Sequence, residues 1–170
     1  MQQDPLNADA EIRLATTHDA ETIFSVHRDS VESLCRSSYS PQQIAMWLEG
    51  RSSASYQAAI ANKRIFVAAL ANEVVGFIEV APGEIVKLFV KRAVAGRGVG
   101  DKLMHIGLAE AGKGSGTIRI ESTRNAVSFY ARHGFQRVGE GLFSRSGSKV
   151  SIEIVKLLSE GDEVPEDGGG

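Results

Sequence analysis

The sequence predicts a mixed α/β fold, in which a central mixed β-sheet of about six or seven strands is flanked by about four helices. Two observations lead to this prediction. Short apolar or alternating segments, typical of strands, are interspersed with segments whose apolar residues recur every three or four positions, typical of helices. Their order is β-α-α-β-β-β-α-β-α-β-β. Strands joined by tight turns are therefore expected to pair antiparallel, and strands separated by a helix to pair parallel.

The first half of the chain supplies a strand, two helices and a hairpin. EIRLAT alternates Ile12 and Leu14 with polar residues and predicts a strand. DAETIFSVHRDSVESLC has helical apolar spacing, with Asp19 placed to cap the start. SPQQIAMWLEG has a capping serine, a proline at the first helical position and a terminal glycine, so it predicts a short second helix. RIFVAAL and VVGFIEV flank ANE as the two strands of a hairpin.

The second half alternates strands with helices. EIVKLFV follows the Pro82-Gly83 turn as a strand, and the residues from Gly98 to Ala111 form an amphipathic pattern typical of a long helix. TIRIEST predicts the next strand, and NAVSFYARHG predicts a helix closed by Gly134. FQRVGE and KVSIEIVKLL predict the last two strands.

Length and composition indicate a single domain. The chain has 170 residues, and we place the domain at 11–158, after a flexible N-terminus (1–10) and before a disordered acidic, Gly-rich tail (159–170). The net charge of −2 gives no basis for binding nucleic acid or an anionic membrane. No apolar run reaches the roughly 18 residues that span a bilayer, and no secretory signal is present. The only cysteine, Cys35, excludes an intramolecular disulfide, so a cytoplasmic location is the default expectation.

The stretch AVAGRGVGDKLM places Gly96, Gly98 and Gly100 at alternate positions between a predicted strand and a predicted helix. Amides in the first turn of a helix have no intrahelical acceptor, and the helix dipole adds positive charge there. Without Cβ atoms, the oxygens of a diphosphate can approach several amides at once. The turn from Ala95 to Asp101 is therefore predicted to bind an anionic ligand, although a flexible loop would also explain glycines alone.

Two common phosphate-binding motifs fit this turn poorly. A nucleotide-hydrolase loop needs Lys followed by Ser or Thr, whereas Gly100 is followed by Asp101 and Lys102. A dinucleotide fold needs a third glycine where Leu103 stands. Glu121 does lie about where its ribose-binding acid would be, but only some 50 residues follow, too few for the remaining parallel units.

AGRGVG followed by a helix, with LFV upstream and NAVSFYARHGF about 25 residues downstream, resembles the GNAT acetyltransferase superfamily. That superfamily carries [Q/R]-x-x-G-x-[G/A] between the fourth strand and third helix, and then N-A-x-x-F-Y-x-x-x-G-F. The resemblance extends over about 11–158 and includes the element order. It implies a GNAT acyl-CoA N-acyltransferase fold with acetyl-CoA as co-substrate. Ala95 stands where the family has Gln or Arg, which we expect to weaken one side-chain contact and not the amide cradle.

The resemblance also implies where coenzyme A binds. The pantetheine arm would lie along the fourth strand and pair with the main chain of Leu88 and Val90, so that strand is expected to separate from TIRIEST. Asn125 would hydrogen-bond the pantetheine; its alternative role is a helix N-cap. For Leu88, Phe89 and Val90 the alternative role is packing in the hydrophobic core. The implied cofactor-binding residues are Leu88, Phe89, Val90, Gly96, Arg97, Gly98, Val99, Gly100, Asp101, Asn125 and Tyr130.

Tyr130 corresponds to the family's usual general acid, which would protonate the departing thiolate. Its alternative role is packing beside Phe129. A main-chain N–H near Phe89 or Val90 is placed to stabilise the oxyanion.

The attacking amine must lose a proton, and a carboxylate is the expected base. Glu79, Glu84 and Glu121 are the candidates. Glu79 is the first choice, because it is predicted to share a strand face with Val75 and Phe77, where a carboxyl pKa could rise.

No metal site is predicted, because Cys35, His18, His105 and His133 do not have metal-ligand spacing. The resemblance implies that His27, Tyr39 and Trp47 lie near the wall of the acceptor site, although packing would explain each of them.

The resemblance thus implies an N-acetyltransferase that transfers an acetyl group to a primary amine by direct attack in a ternary complex. The acceptor would be a small molecule or a peptide, and a homodimer is left open. The alternatives are a catalytically silent acyl-CoA-binding module and a nicotinamide-dependent oxidoreductase.

Overall fold

The computed structural model describes residues 9–114, 116–144 and 147–159 and contains one seven-stranded sheet in the order β1-β2-β3-β4-β5-β7-β6. The strands are β1 (Glu11–Leu14), β2 (Ile65–Leu70), β3 (Glu73–Ala81), β4 (Glu84–Val90), β5 (Arg119–Ser122), β6 (Phe135–Phe143) and β7 (Ile152–Ser159). The α-helices are α1 (Ala20–Leu34), α2 (Pro41–Leu48), α3 (Gln57–Ala61), α4 (Val99–Ala111) and α5 (Val127–Ala131). The predicted mixed α/β fold is confirmed. In the part of the chain described, no helix is both long and apolar enough to cross a membrane.

The predictions for the two ends of the chain lie largely outside the described residues. Of the predicted N-terminal segment, only Asp9 and Ala10 are described, and of the predicted tail only Ser159. Ser159 is the last residue of β7, where it pairs with Phe135.

Local signals placed most elements correctly. The β2–β3 hairpin turns at Ala71 and Asn72, which both have positive φ (49° and 65°), as a tight two-residue turn requires. Ser40 caps α2: its hydroxyl accepts a hydrogen bond from the amide of Gln43 at 3.1 Å. Asp19, however, makes no capping hydrogen bond to α1. Its carboxylate is instead held by the Arg13 guanidinium, at 2.8 Å and 3.0 Å.

The predicted strand pairing is wrong in two places. β1 and β2 are separated by three helices yet pair antiparallel, because that long connection lets the chain return from either end of the sheet. β5 and β6 are not neighbours, because β7 lies between them and pairs antiparallel with both. The single parallel pair, β4 with β5, is too little for a doubly wound dinucleotide-binding sheet. The short α3 was not predicted, because five residues are too few to show helical periodicity.

Helices cover both faces of the sheet. α1 packs on one face, in a cluster that includes Phe77, and α4 packs on the other, in a cluster that includes Ile78. Gly107 allows α4 to lie directly on β3 and β4, because a Cβ there would be 2.3 Å from Ile78 Cδ1 and 3.2 Å from Ile85 Cδ1. This contact fixes α4 with its first turn close to the end of β4.

β4 separates from β5 after two residue pairs. β4 pairs with β5 at Glu84 and Ile85 only, whereas it pairs with β3 along its whole length. The pairing of β3 with β4 has a bulge in which Val86 is the extra residue, and a bulge bends a strand. The rest of β4 thus faces a gap on its β5 side, as the sequence predicts.

Candidate active site

A cleft of about 400 Å³ opens where β4 and β5 separate. It brings together seven of the predicted site residues: Leu88, Phe89, Val90, Gly96, Gly100, Asn125 and Tyr130. Arg97, Gly98, Val99 and Asp101 belong to the same glycine turn but lie outside the lining of the cleft. We call this space the cofactor cleft. α1, β4, the start of α4 and α5 form its walls.

The glycine turn needs Gly96 and Gly98 because of their backbone conformation. Gly96 and Gly98 have φ values of 76° and 84°, and a Cβ on either would meet nothing within 4 Å. Left-handed backbone is easily adopted by glycine alone, so these residues shape the turn and leave the space around it open. α4 starts at Val99, directly after the turn, so the amides of its first turn point away from the helix. The amide of Arg97 is engaged within the turn, where it donates to the Val94 carbonyl at 3.3 Å.

Two contacts fix α5 against the start of α4. A Cβ on Gly100 would lie 3.3 Å from the ring of Phe129, so a glycine there allows the aromatic ring to approach the helix. His133 Nε2 lies 2.8 Å from the Asp101 carboxylate. Tyr130, between Phe129 and His133 in the chain, is thereby held in a fixed position relative to the glycine turn.

Tyr130 is 5% exposed and packs edge-on against Phe129 and Phe135, with ring centroids 5.3 Å and 6.1 Å away. Burial raises the pKa of its phenol above the usual value of 10.0. The phenol therefore keeps its proton at neutral pH.

Asn125 does not cap a helix. It lies inside a 3₁₀ turn (Arg124–Ala126) that precedes α5, and it lines the cofactor cleft together with Cys35. Burial raises the pKa of the Cys35 thiol to about 11, so Cys35 is not a thiolate at neutral pH.

A second pocket of about 150 Å³ lies on the α1 side of the gap between β4 and β5. Its lining comes from α1, the region of α2, and strands β4 to β7: His27, Trp47, Arg51, Val86, Lys87, Phe89, Glu121, Phe143, Ile152 and Ile154. Phe89 borders both this pocket and the cofactor cleft. Sequence reasoning missed the other six residues of this lining, among them Arg51 and Phe143. Phe143 lies beyond the predicted end of its strand, and neither residue carries a local signal for a site.

His27 lies at the base of the second pocket and is 1% exposed. Its ring stacks on Phe89 with centroids 4.1 Å apart, and its Nδ1 is 2.6 Å from the Tyr56 hydroxyl. Its Nε2 is buried without a hydrogen-bond partner among the described residues. Burial, reinforced by the charges of Arg51 and Lys87, lowers the pKa of His27 to about 3, so the ring is neutral.

The three candidate bases are in different environments. Glu79 pairs with Lys87 at 3.2 Å, and Glu84 pairs with Arg119 at 3.2 Å. Glu121 is exposed and lines the second pocket.

The face predicted for Glu79 is wrong in one respect. β3 has a bulge at Val75, between Val74 and Gly76, so Val75 packs with the α4-side cluster and Phe77 with the α1-side cluster.

Tyr39 has a structural position. Its hydroxyl donates to the Glu153 carbonyl at 2.7 Å and accepts from the Arg124 amide at 3.0 Å, so it connects the segment after α1 to β7 and to the turn before α5. Among the residues described, no three His, Cys, Asp or Glu side chains are grouped to hold a metal ion.

Comparisons with known proteins agree with this geometry. A crystal structure of a GCN5-related N-acetyltransferase from Rhodopseudomonas palustris has a TM-score of 0.83 and 23% identity, over 90% of this chain and 96% of that one. PaiA N-acetyltransferase from Thermoplasma acidophilum, in complex with coenzyme A, has a TM-score of 0.73 and 22% identity, over 90% and 99%. YncA from Salmonella typhimurium, with acetyl-CoA, has a TM-score of 0.68 and 16% identity, over 92% and 96%.

At these identities the similarities show the fold. No curated protein sequence matches the chain significantly. The sequence profile of the acetyltransferase (GNAT) domain, however, matches residues 35–150, which is more than half of the chain. The chain therefore belongs to the GNAT acetyltransferase family.

Proposed function

We propose that the protein is an acetyl-CoA-dependent N-acetyltransferase that transfers the acetyl group to a primary amine by direct attack in a ternary complex. Membership of the family implies acyltransferase activity. The observation that best supports the full proposal is the unpaired edge of β4. This edge lines the same cleft as the glycine turn and Tyr130.

The residues of the cleft fit coenzyme A. The unpaired edge of β4 offers main-chain groups of Leu88 and Val90 to the amides of the pantetheine arm. Amides of the turn from Gly96 to Asp101, apart from that of Arg97, would bind the diphosphate at the positive end of α4. Asn125, in the lining of the cleft, would hydrogen-bond the pantetheine. Acetyl-CoA supplies an activated acetyl thioester, so no metal is required for the transfer.

Tyr130 is proposed as the general acid. Its phenol carries a proton at neutral pH, which can be given to the thiolate as the carbon–sulfur bond breaks. A main-chain N–H near Phe89 or Val90 would stabilise the oxyanion that forms when the amine attacks.

A carboxylate is proposed to accept the proton of the attacking ammonium. Glu79 remains the first candidate: its partner Lys87 lines the second pocket, so a short water chain could connect the carboxylate to that pocket. Glu121, at the mouth of the same pocket, is the alternative.

The proposal is tested by measuring CoA release from acetyl-CoA in the presence of a panel of primary amines. Tyr130→Phe should lower kcat about a hundred-fold or more, because general acid catalysis contributes roughly 10²–10⁴, while calorimetry should show unchanged CoA affinity. Glu79→Gln, compared with Glu121→Gln, identifies the base by its effect on the acidic side of the pH–rate profile. Unchanged turnover in Tyr130→Phe would remove the assigned acid, and CoA binding without release to any amine would favour the silent binding module.

A further inference from the structure

The second pocket contains a buried hydrogen-bonding atom that no described residue satisfies. His27 is almost wholly buried, and Tyr56, which holds its Nδ1, is not part of the pocket lining. His27 itself lines the pocket, and its Nε2 lies buried behind the pocket surface. A buried polar atom without a partner is costly, so a group of a bound ligand is the natural partner for Nε2.

The surrounding hydrogen bonds assign the proton of the His27 ring. The Arg51 cation lies close enough to the Tyr56 hydroxyl to oppose the rise in its pKa that burial causes, and a guanidinium can only donate. A nearby cation favours the side of the hydroxyl that carries the oxygen lone pairs, which turns the hydroxyl hydrogen toward Nδ1 of His27, 2.6 Å away. The ring proton then lies on Nε2. His27 consequently places an N–H donor in the wall of the pocket.

Two cations line the same pocket. The Arg51 side chain is held by a hydrogen bond from its Nε to the Trp47 carbonyl at 3.1 Å, and Lys87 reaches the pocket while paired with Glu79. Along with burial, both cations lower the pKa of His27, because they disfavour a positive charge on its ring. The carboxylate that lines the pocket, Glu121, is at its exposed mouth. The inner end of the pocket is therefore suited to an anion and unsuited to an ammonium group.

Size and the remaining walls narrow the choice of ligand. A cavity of about 150 Å³ is enough for one benzene-sized ring, and the volume here is about 150 Å³. Trp47, Phe89 and Phe143 offer aromatic surface for an apolar body. A carboxylate has acceptors only, so it matches the three donors from His27, Arg51 and Lys87.

We infer that the second pocket binds a carboxylate of the acceptor, so that the acceptor is a small primary amine that also carries a carboxylate and a short apolar body. This inference rests on the proposed function, because the bound molecule is an acceptor only if the protein transfers an acetyl group to it. Binding of the carboxylate does not depend on acetyl transfer, so binding and transfer are measured separately.

The first measurement is binding of 3-phenylpropionate, which has a carboxylate and no amine, compared with 3-phenylpropan-1-ol. We expect the carboxylate to bind at least ten-fold more tightly, and the ¹⁵N-labelled Nε2–H signal of His27 to shift on its addition. Arg51→Met and His27→Phe should each weaken this binding at least ten-fold. Arg28→Met is the matched control, since Arg28 is an exposed cation on α1 that contacts Phe24 outside the second pocket.

If His27→Phe does not fold, Arg51→Met and Lys87→Met decide the result. Equal affinities for the carboxylate and the alcohol, or an equal effect of Arg51→Met and Arg28→Met, would overturn the inference.

The second measurement compares kcat/KM for amino acids and for the same molecules without the carboxylate: phenylalanine with phenethylamine, leucine with 3-methylbutylamine, and 4-aminobutyrate with propylamine. At least one pair should favour the carboxylate ten-fold or more. A preference for the simple amine in every pair would overturn the inference and leave the proposed function standing. Carboxylate binding without acetyl transfer to any amine would support the carboxylate site and contradict the proposed function.

Discussion

His27 combines burial, a short hydrogen bond and two nearby cations in one side chain. Its neutrality in the folded protein contrasts with its behaviour in the unfolded chain, where the pKa returns to about 6.5. Because the unfolded chain then binds a proton that the native state does not, His27 links stability to pH.

Stability should therefore fall as the pH is lowered. The contribution of His27 is complete above pH 6.5 and is lost progressively between pH 6.5 and about 3, the two pKa values of the ring. The slope for one proton is at most about 1.4 kcal/mol per pH unit. Urea unfolding between pH 7 and pH 4.5 measures it. His27→Phe should show a flatter dependence over this interval, and equal slopes in the two proteins would contradict the low pKa.

Gly107 determines where helix α4 lies. α4 contacts the sheet at this residue, and this contact also sets the position of the glycine turn at the start of the helix. A larger residue cannot be accommodated by a small rotation alone, because Ile78 and Ile85 are themselves fully buried.

Gly107→Val should destabilise the protein by about 1–3 kcal/mol, the usual cost of overpacking a core, and should also weaken CoA binding by displacing the first turn of α4. Chemical unfolding and calorimetry measure the two effects. Ala109→Val on the exposed side of the same helix is the control, with a loss below about 0.7 kcal/mol from helix propensity. Similar losses in both variants would show that the close packing at Gly107 carries little energy.

The elements that could be predicted from the sequence are those with local signals. The left-handed Asn72 in the β2–β3 hairpin, the Ser40 cap and the glycines before α4 each act within a few residues. Strand order depends on contacts between distant segments, so the insertion of β7 between β5 and β6 had no local signal. The bulge at Val75 is a similar case, because one extra residue reverses the faces of the residues before it.

The candidate site divides in the same way. The two motifs predicted Gly96, Gly100 and Tyr130, which the fold does bring into one cleft. The pairing of His27 with Tyr56, 29 residues apart in the chain, is made by packing of α1 against the segment before α3 and could not be predicted.

At the scale of the whole molecule, the sheet is divided by the gap between β4 and β5, and α1, α4 and α5 all border the resulting cleft. A ligand in this cleft contacts elements from most of the chain. Its binding should therefore stabilise the fold as a unit.

Coenzyme A at about a hundred times its Kd should raise the free energy of unfolding by about 2.7 kcal/mol, and NAD should leave it unchanged. Thermal unfolding with each ligand checks this expectation. Stabilisation by NAD and not by coenzyme A would support the oxidoreductase alternative and contradict the assigned cleft.

Phe89 borders both cavities, and α1 and β4 contribute further residues to each, but the remaining walls come from separate parts of the chain. The cofactor cleft uses the glycine turn and α5, whereas the second pocket uses the segment around Trp47 together with β6 and β7. Evolution or design can therefore exchange the recognition of one substrate without rebuilding that of the other. Phe89 is the exception, since any replacement there would alter the fit of both partners at once.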